Sequence, residues 1–357
     1  MPAMPNSVRV PFSGRVLRDG PHLVPHSLAF PSAMMSLKVL MGGNHRTHEL
    51  SAHQRTWRSD EDYYLHLGLS GEGFRFLFNT AEYFRFAMEE GAQPLLDCLA
   101  MEGIPAKVYA AKPAPHINGV WHDEAHLKEL VLDTLKGGFP ALLLGRTASD
   151  WAVLATGYEA GGETLVGWTF VPGADMSNKS FAPEDCQYIC DWAQGADAAA
   201  IVTGAQDEVK SRQAIFRRAL SRGERFLRQP AGQHSGGKSG SYDEWISKMQ
   251  DGAFWQAPFT GRPGIDPEIW DIAERRAFAA EFLEEAGQEL KTQALIPASD
   301  SCRRIHDLMW RINGLCDGED AQAKLKDPAV RREIVSILNT CRDLDIKAAD
   351  AIGKALA

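Results

Sequence analysis

The sequence of 357 residues lacks any long hydrophobic run. No apolar stretch reaches the roughly 18 residues that a membrane-spanning helix requires. The first 40 residues carry scattered arginines and prolines instead of the continuous apolar segment of a secretory signal. We therefore expect a cytoplasmic protein that has no membrane partner.

Cysteine is also scarce, and no two cysteines form a Cys-x-x-Cys pair. This absence argues against a disulfide framework and against a thiolate zinc or redox site. We predict reduced, mostly buried thiols in helical segments, with Cys186 and Cys190 on one helix. The six positions are Cys98, Cys186, Cys190, Cys302, Cys316 and Cys341.

One polar loop contains three histidines, His45, His48 and His53, whose imidazoles are ligands that suit zinc. Because no cysteine accompanies them and no defined geometry follows from their spacing, we predict no metal site and no cofactor. A metal-dependent enzyme that uses this loop is kept as a third hypothesis.

The chain has no overall excess of positive charge, since its formal net charge is −9. An acidic protein repels phosphate backbones, so we expect no nucleic-acid partner. Basic residues concentrate only between residues 210 and 228, where they alternate with apolar residues at helical spacing. This pattern predicts an amphipathic helix whose solvated face carries Lys210, Arg212, Arg217, Arg218, Arg222, Arg225 and Arg228.

We divide the chain into three parts. Residues 1–29 are rich in proline and predict an extended arm on the surface, whereas residues 30–205 predict a core of helices and strands. Residues 206–357 predict a mainly helical region that packs on this core. Helix start signals of the form Asp-Pro occur at Asp266 and Asp327.

Within the core, a helix is predicted from Pro31 to Met41, with Ser32 as its N-cap. Strands are predicted at residues 106–111, 140–144, 151–158, 164–171 and 198–203. The segment Ala160-Gly161-Gly162 predicts a hairpin turn between the third and fourth of these strands. A helix at 123–135 separates the first two strands.

Three phrases of the sequence resemble the butirosin biosynthesis protein H-like family. They are GLSGEGF at residues 68–74, the predicted hairpin at 152–168, and SYDEWI at 241–246. The resemblance covers roughly residues 30–340. It implies an α+β, papain-like fold related to bacteriocin-processing cysteine peptidases. The named member of the family is an acyltransferase that moves an amino-acyl group from a carrier-protein thioester to an aminoglycoside amine.

Enzymes of this kind use a thiolate at a helix N-terminus, a histidine that accepts its proton, and a third residue that orients the histidine. The resemblance puts the cysteine position at Ser32 and the histidine position at Asp150. The third position falls near Gly167 or Trp168, where no carboxylate stands. A serine hydroxyl needs a stronger base than an ordinary aspartate, so we expect the papain-type thiol mechanism to be absent.

Four further residues are predicted to bind a substrate. Glu72 would bind a cation or an amine if it points into the cleft, and the alternative is a solvated loop carboxylate. Trp151, Tyr158 and Trp168 would line an apolar pocket beside the cleft, and the alternative is a place in the core. Ser70 imitates a nucleophile elbow, but Glu72 stands where that motif has glycine, so a tight turn is predicted instead.

Two functions follow from these observations. The first is a specialised-metabolism protein whose papain-like cleft binds or acylates a small molecule with an acyl or amine group. Its partners would be that molecule or an acyl carrier protein. A homodimer is one oligomeric state that we consider. The alternative is a pseudoenzyme, a non-catalytic scaffold that keeps the fold. The sequence leaves both catalysis and binding open.

Overall fold

The chain folds into two compact units of different architecture. The first unit contains Met1–His66 and Phe84–Arg212, and the second contains Leu67–Tyr83 and Gln213–Ala357. The computed structural model describes residues 5–10, 29–42, 47–49, 58–76, 92–110, 124–146, 149–170, 187–190, 196–205, 208–209, 211–228, 242–256, 266–318 and 320–357.

The fold class is α+β, as predicted. An antiparallel sheet belongs to the first unit, and the C-terminal region is helical. The division predicted between residues 205 and 206 lies near the boundary after Arg212, whereas Leu67–Tyr83 belongs with the C-terminal helices. The second unit is therefore assembled from two separate parts of the chain.

The main sheet has the strand order β4-β9-β5-β6-β7-β8, and β1 also pairs with β6. All these pairings are antiparallel. A separate pair joins β2 and β3. The strands are β1 (Val8–Arg9), β2 (Thr47–Glu49), β3 (Arg58–Asp60), β4 (Ala106–Ala110), β5 (Ala141–Arg146), β6 (Ser149–Glu159), β7 (Thr164–Phe170), β8 (Gln187–Cys190) and β9 (Ala196–Val202).

The hairpin between β6 and β7 confirms the turn predicted at Ala160-Gly161-Gly162. The φ angles of these residues are +49°, +65° and +100°, a left-handed region that glycine adopts without steric cost. A Cβ atom on Gly162 would lie 2.5 Å from the Leu132 side chain, so the second glycine also permits close packing. The sequence therefore determines this turn locally.

Helices cover both faces of the sheet. On one face, α4 (Glu124–Lys136) inserts Leu127, Val131, Leu132 and Leu135 into a cluster with residues of β5, β6, β7 and β9. On the other, α1 (Ala29–Leu40) lies against β5, β6 and β7, and none of its described residues belongs to the α4 cluster. Strand residues alternate between the two faces, and both faces are apolar.

The start of α1 differs from the prediction. The helix begins at Ala29, so Ser32 lies inside the first turn and is not the N-cap. Pro31 does not delay the start, because the first residues of a helix need no intrahelical partner for their N–H groups. The helix therefore begins two residues before its predicted start at Pro31.

The remaining helices are α2 (Glu61–Ser70), α3 (Gln93–Met101), α5 (Arg212–Arg228), α6 (Tyr242–Gln250), α7 (Gly252–Gln256), α8 (Asp266–Leu290), α9 (Ile296–Cys316), α10 (Ala321–Lys326) and α11 (Pro328–Leu356). In the second unit α8, α9 and α11 pack together around an apolar core that includes Trp245 and Trp255. Asp327 caps α11 as predicted, since its carboxylate accepts a hydrogen bond from the Ala329 N–H at 2.7 Å.

The predicted basic helix exists as α5, with one correction. Ile215, Phe216 and Leu220 form its buried side, as the spacing indicated. Arg222, however, is 4% exposed and donates a hydrogen bond to the Leu69 carbonyl oxygen. Helical spacing alone places Arg222 on the solvated face, because it does not reveal that the Leu69 carbonyl oxygen lies nearby.

The thiols of Cys98, Cys302, Cys316 and Cys341 are buried and belong to no disulfide, which confirms the prediction for these four residues. The predicted helix at Cys186 and Cys190 is wrong, because Gln187–Cys190 forms β8 and pairs with β7. Backbone pairing with a neighbouring strand outweighs the local helical spacing here. Among the described residues, no helix is both long enough and apolar enough to cross a bilayer.

Candidate functional site

Helix α1 and the central hairpin of β6 and β7 belong to the same unit and lie in contact. Ser32 is in that turn, and Asp150 and Trp151 are near the start of β6. Trp168 is in β7, where its Cα pairs with that of Leu154. The side chains of these four residues lie outside the description, so the predicted Ser32–Asp150 pair stays a prediction.

Tyr158 is a core residue. Its side chain is 0% exposed and belongs to the apolar cluster that packs against α4. Helix α1 covers the opposite face of the sheet. A substrate would contact Tyr158 only after this core had opened, and its ring therefore supports the fold in the structure as it stands.

Glu72 is not a solvated loop carboxylate, so that alternative is wrong. It lies in a short 3-10 turn, Glu72–Phe74, and is 1% exposed. Its carboxylate contacts Arg75 Nη1 at 3.1 Å and Arg275 Nη1 at 2.7 Å. Two guanidinium groups of the protein thus supply the positive charge that a cationic substrate would have brought.

The turn around Glu72 is held by its backbone as well as by its side chains. Ser70 Oγ donates to the Leu67 carbonyl at 3.1 Å and accepts from the Glu72 N–H at 3.4 Å, which makes Ser70 a turn residue as predicted. Gly71 has a φ of +86°. A Cβ atom there would meet the Phe226 ring at 2.7 Å and Arg222 at 2.8 Å.

Two consecutive arginines of α8 bind this turn. Arg275 Nη1 donates to the Glu72 carbonyl oxygen at 2.7 Å, and its Nε donates to Asp271 Oδ2 at 2.7 Å. Arg276 Nη1 donates to the Gly73 carbonyl oxygen at 2.7 Å. The charges are therefore paired inside the second unit, and the arginines replace the backbone partners that a regular helix would give the turn.

Arg276 also forms a bidentate ion pair with Asp345 of α11. Its Nε lies 2.9 Å from Oδ1 and its Nη2 lies 2.8 Å from Oδ2. Tyr242 donates its hydroxyl proton to Asp345 Oδ2 at 3.1 Å. Burial, together with the Asp345 charge, raises the pKa of Tyr242 well above its ordinary value, so this hydroxyl remains a donor.

The titration behaviour of this network follows from burial. Burial raises the pKa of Asp271 to about 6, and the nearby Arg275 only partly offsets this shift. Burial opposes the charge on Arg275, but Asp271 and Glu72 together raise its pKa above the ordinary value. The pKa of Arg275 rises because two carboxylates lie beside it. Burial still raises the pKa of Asp271, because Asp271 shares the guanidinium group of Arg275 with Glu72.

A second buried charged cluster lies in the first unit and was not predicted from sequence. Lys38 of α1 places its Nζ 3.0 Å from Glu102 Oε2, and His66 of α2 places its Nε2 3.3 Å from Glu102 Oε1. Glu102 directly follows α3. The three residues are far apart in the sequence and share no motif, so only the fold brings them together.

No metal centre emerges from the described ranges, where no three His, Cys, Asp or Glu side chains are placed to hold an ion. The loop with His45 and His53 lies outside these ranges, as does the side chain of His48. The metal hypothesis for this loop stays a prediction.

Comparison with known proteins gives no further assignment. No protein-family model matches the chain, and no curated protein matches it. The resemblance to the butirosin biosynthesis protein H-like family therefore stays a prediction that rests on the three quoted phrases.

Proposed function

We propose that the first unit binds an acyl- or amine-bearing small molecule beside the first turn of α1, as part of specialised metabolism. The supporting observation is that α1 lies directly on β5, β6 and β7, with Ser32 in its first turn. A papain-like cleft also has a helix packed on an antiparallel hairpin. An acyl carrier protein is one partner that would deliver such a molecule.

The first turn of a helix offers chemistry that does not depend on a thiol. Its N–H groups have no intrahelical acceptor, and the helix dipole makes this end positive. In α1 these donors include the N–H group of Ala29, whereas Pro31 has no N–H group. They suit the carbonyl oxygen or carboxylate of an acyl compound, and the Ser32 hydroxyl would be the acceptor if acyl transfer occurs.

The test uses an aminoacyl thioester of N-acetylcysteamine together with a small amine. We expect Ser32→Ala and Asp150→Asn each to lower the rate of amide formation by about 100-fold or more, a usual loss for a positioned catalytic group. Ser336→Ala and Asp133→Asn are matched controls at exposed positions and should retain the wild-type rate. Wild-type rates in both test variants would rule out catalysis by this pair.

A non-catalytic scaffold is the second candidate. It is favoured by Glu72 and Tyr158, two predicted substrate ligands whose side chains are buried among the protein's own residues. A scaffold would not turn over the thioester probe. It would form a stable stoichiometric complex with a larger protein, and that complex would survive the Ser32→Ala and Asp150→Asn changes. Light scattering on the same samples would distinguish a homodimer from a monomer.

A further inference from the structure

Residues of the first unit from three different helices form one buried set of ionisable groups, which we call the Lys38–His66–Glu102 cluster. Lys38 is 7% exposed, His66 is 0% exposed and Glu102 is 6% exposed. They come from α1, α2 and the end of α3. Buried ionisable groups reduce stability unless they are fully paired, so their pairing determines how firmly these helices associate.

His66 is incompletely paired. Within the described ranges, neither its Nδ1 nor its Nε2 has a hydrogen-bond partner. Its Nε2 is 3.3 Å from Glu102 Oε1, which is within ion-pair range, but the alignment is not that of a hydrogen bond. The guanidinium groups of Arg275 and Arg276 in the second unit, by contrast, donate to carboxylate and carbonyl oxygens at 2.7 to 3.2 Å.

The groups around His66 determine the effect that protonation of its ring would have. Glu102 contacts the His66 ring through Oε1, and Lys38 pairs with its other oxygen, Oε2, at 3.0 Å. The Cys98 thiol of α3 lies 3.7 Å from the His66 carbonyl oxygen, and Asp97 of α3 binds Gln93 at 2.8 Å. An imidazolium would be attracted to Glu102, whereas a neutral imidazole gains little from the same geometry.

We propose that the Lys38–His66–Glu102 cluster is a pH-dependent clasp between α1, α2 and α3. Protonation of His66 converts its contact with Glu102 into a charge-assisted hydrogen bond, and loss of the proton releases it. The bond is present at low pH and disappears as the pH rises. Because α1 also carries Ser32 in its first turn, the clasp would set how firmly this helix is held on the sheet. The proposal does not depend on any catalytic activity.

The experiment is a double-mutant cycle on the full chain with His66→Asn and Glu102→Gln. Unfolding of the first unit is followed in urea by hydrogen exchange of peptides from α1 and α3, at pH 5.5 and pH 8.5. These values bracket the ordinary imidazole pKa of about 6.5. We expect the coupling factor in the folding equilibrium constant to be about fivefold or more larger at pH 5.5.

A matched control exists in the same unit. His126 Nδ1 lies 3.4 Å from Glu129 Oε2, but these side chains are 45% and 69% exposed. The cycle with His126→Asn and Glu129→Gln should show a change in coupling of less than about twofold between the two pH values, because water screens this pair. An equal, pH-independent coupling at His66 and Glu102 would make the cluster a purely structural ion pair and overturn the proposal.

A second measurement uses the wild-type chain and tests the proposal even if the variants fail to fold. The ring ¹⁵N shifts of His66 in the wild-type chain report its protonation directly. We expect them to move from neutral to imidazolium values between pH 8.5 and pH 5.5, with increased protection of α1 amides over the same range. A His66 ring that stays neutral throughout, or α1 amides whose protection does not follow it, would also overturn the proposal.

Discussion

Arg275 and Arg276 are consecutive residues that are both almost completely buried, which is unusual for arginine. Successive residues of a helix point about 100° apart, so the two guanidinium groups reach different partners. Arg275 binds Glu72 and Asp271, and Arg276 binds Asp345. At the scale of the residue, this part of the chain is therefore specified by charge pairing as well as by apolar packing.

Asp271 gives a prediction at this scale. Its pKa is raised to about 6, so the folded protein holds more protons than the unfolded chain between about pH 4 and pH 6. The free energy of unfolding therefore falls as the pH rises through this window and is level above it. We expect Asp271→Asn to remove this dependence and to stabilise the second unit at pH 7 by on the order of 1–3 kcal/mol.

Urea unfolding of the second unit at several pH values between 4 and 8 measures this effect. Asp243→Asn is the control, because the Asp243 side chain is 71% exposed and pairs with Arg342 at the surface. It should change stability by less than about 0.5 kcal/mol at any pH. A loss of stability in Asp271→Asn at pH 7 would mean that the attraction to Arg275 outweighs the burial of the carboxylate.

At the scale of the element, two glycines inside helices distinguish the effect of side-chain packing from the effect of helix propensity. Gly68 lies in α2, and a Cβ atom there would be 2.0 Å from the Phe282 ring. Gly314 lies in α9, and a Cβ atom there would meet nothing within 4 Å. The first glycine is required by a neighbouring helix, whereas the second only weakens its own helix.

We accordingly expect opposite results from the same substitution. Gly68→Ala should destabilise the second unit by about 2 kcal/mol or more, because the ring or the helix must move. Gly314→Ala should stabilise it by about 0.5–1 kcal/mol through helix propensity. Thermal unfolding of both variants, read against the wild type, measures the difference. Equal effects of the two changes would contradict this account of Gly68.

The sequence predicted several elements because their signals are local. The Asp327-Pro328 start of α11 and the glycine turn of the central hairpin both depend on neighbouring residues only. The helix predicted at Cys186–Cys190 is wrong because the segment pairs as a strand with β7, which is not its neighbour in the sequence. The solvated position predicted for Arg222 is wrong for the same reason, since its carbonyl partner is 153 residues away.

At the scale of the whole molecule, the second unit needs a segment from the first half of the chain. Residues 67–83 supply the Glu72–Phe74 turn, which accepts hydrogen bonds from Arg275 and Arg276. Without this turn, two buried guanidinium groups lose partners. A buried charge left fully uncompensated costs roughly 3–5 kcal/mol, so even a partial loss of partners is large beside the stability of a domain.

We expect a fragment of residues 213–357 to be helical but loosely packed, with binding of a hydrophobic dye and no cooperative unfolding. Addition of a peptide of residues 67–83 should restore cooperative unfolding. The same peptide with Glu72→Gln should restore less, because it removes one of the two carboxylates that pair with Arg275. Calorimetry with the two peptides measures the effect, and a fragment that unfolds cooperatively alone would refute it.

The sequence by itself determined the α+β class, the central hairpin, the capped start of α11, the amphipathic side of α5 and the buried thiols that the structure describes. These features follow from turn chemistry, capping and periodicity, which act over a few residues. The tertiary structure alone decided the burial of Glu72 and Tyr158, the arginine pairs of α8, and the meeting of Lys38, His66 and Glu102. Those depend on which distant segments approach one another, because the free energy of a buried charge is set by partners that are not its neighbours in the chain.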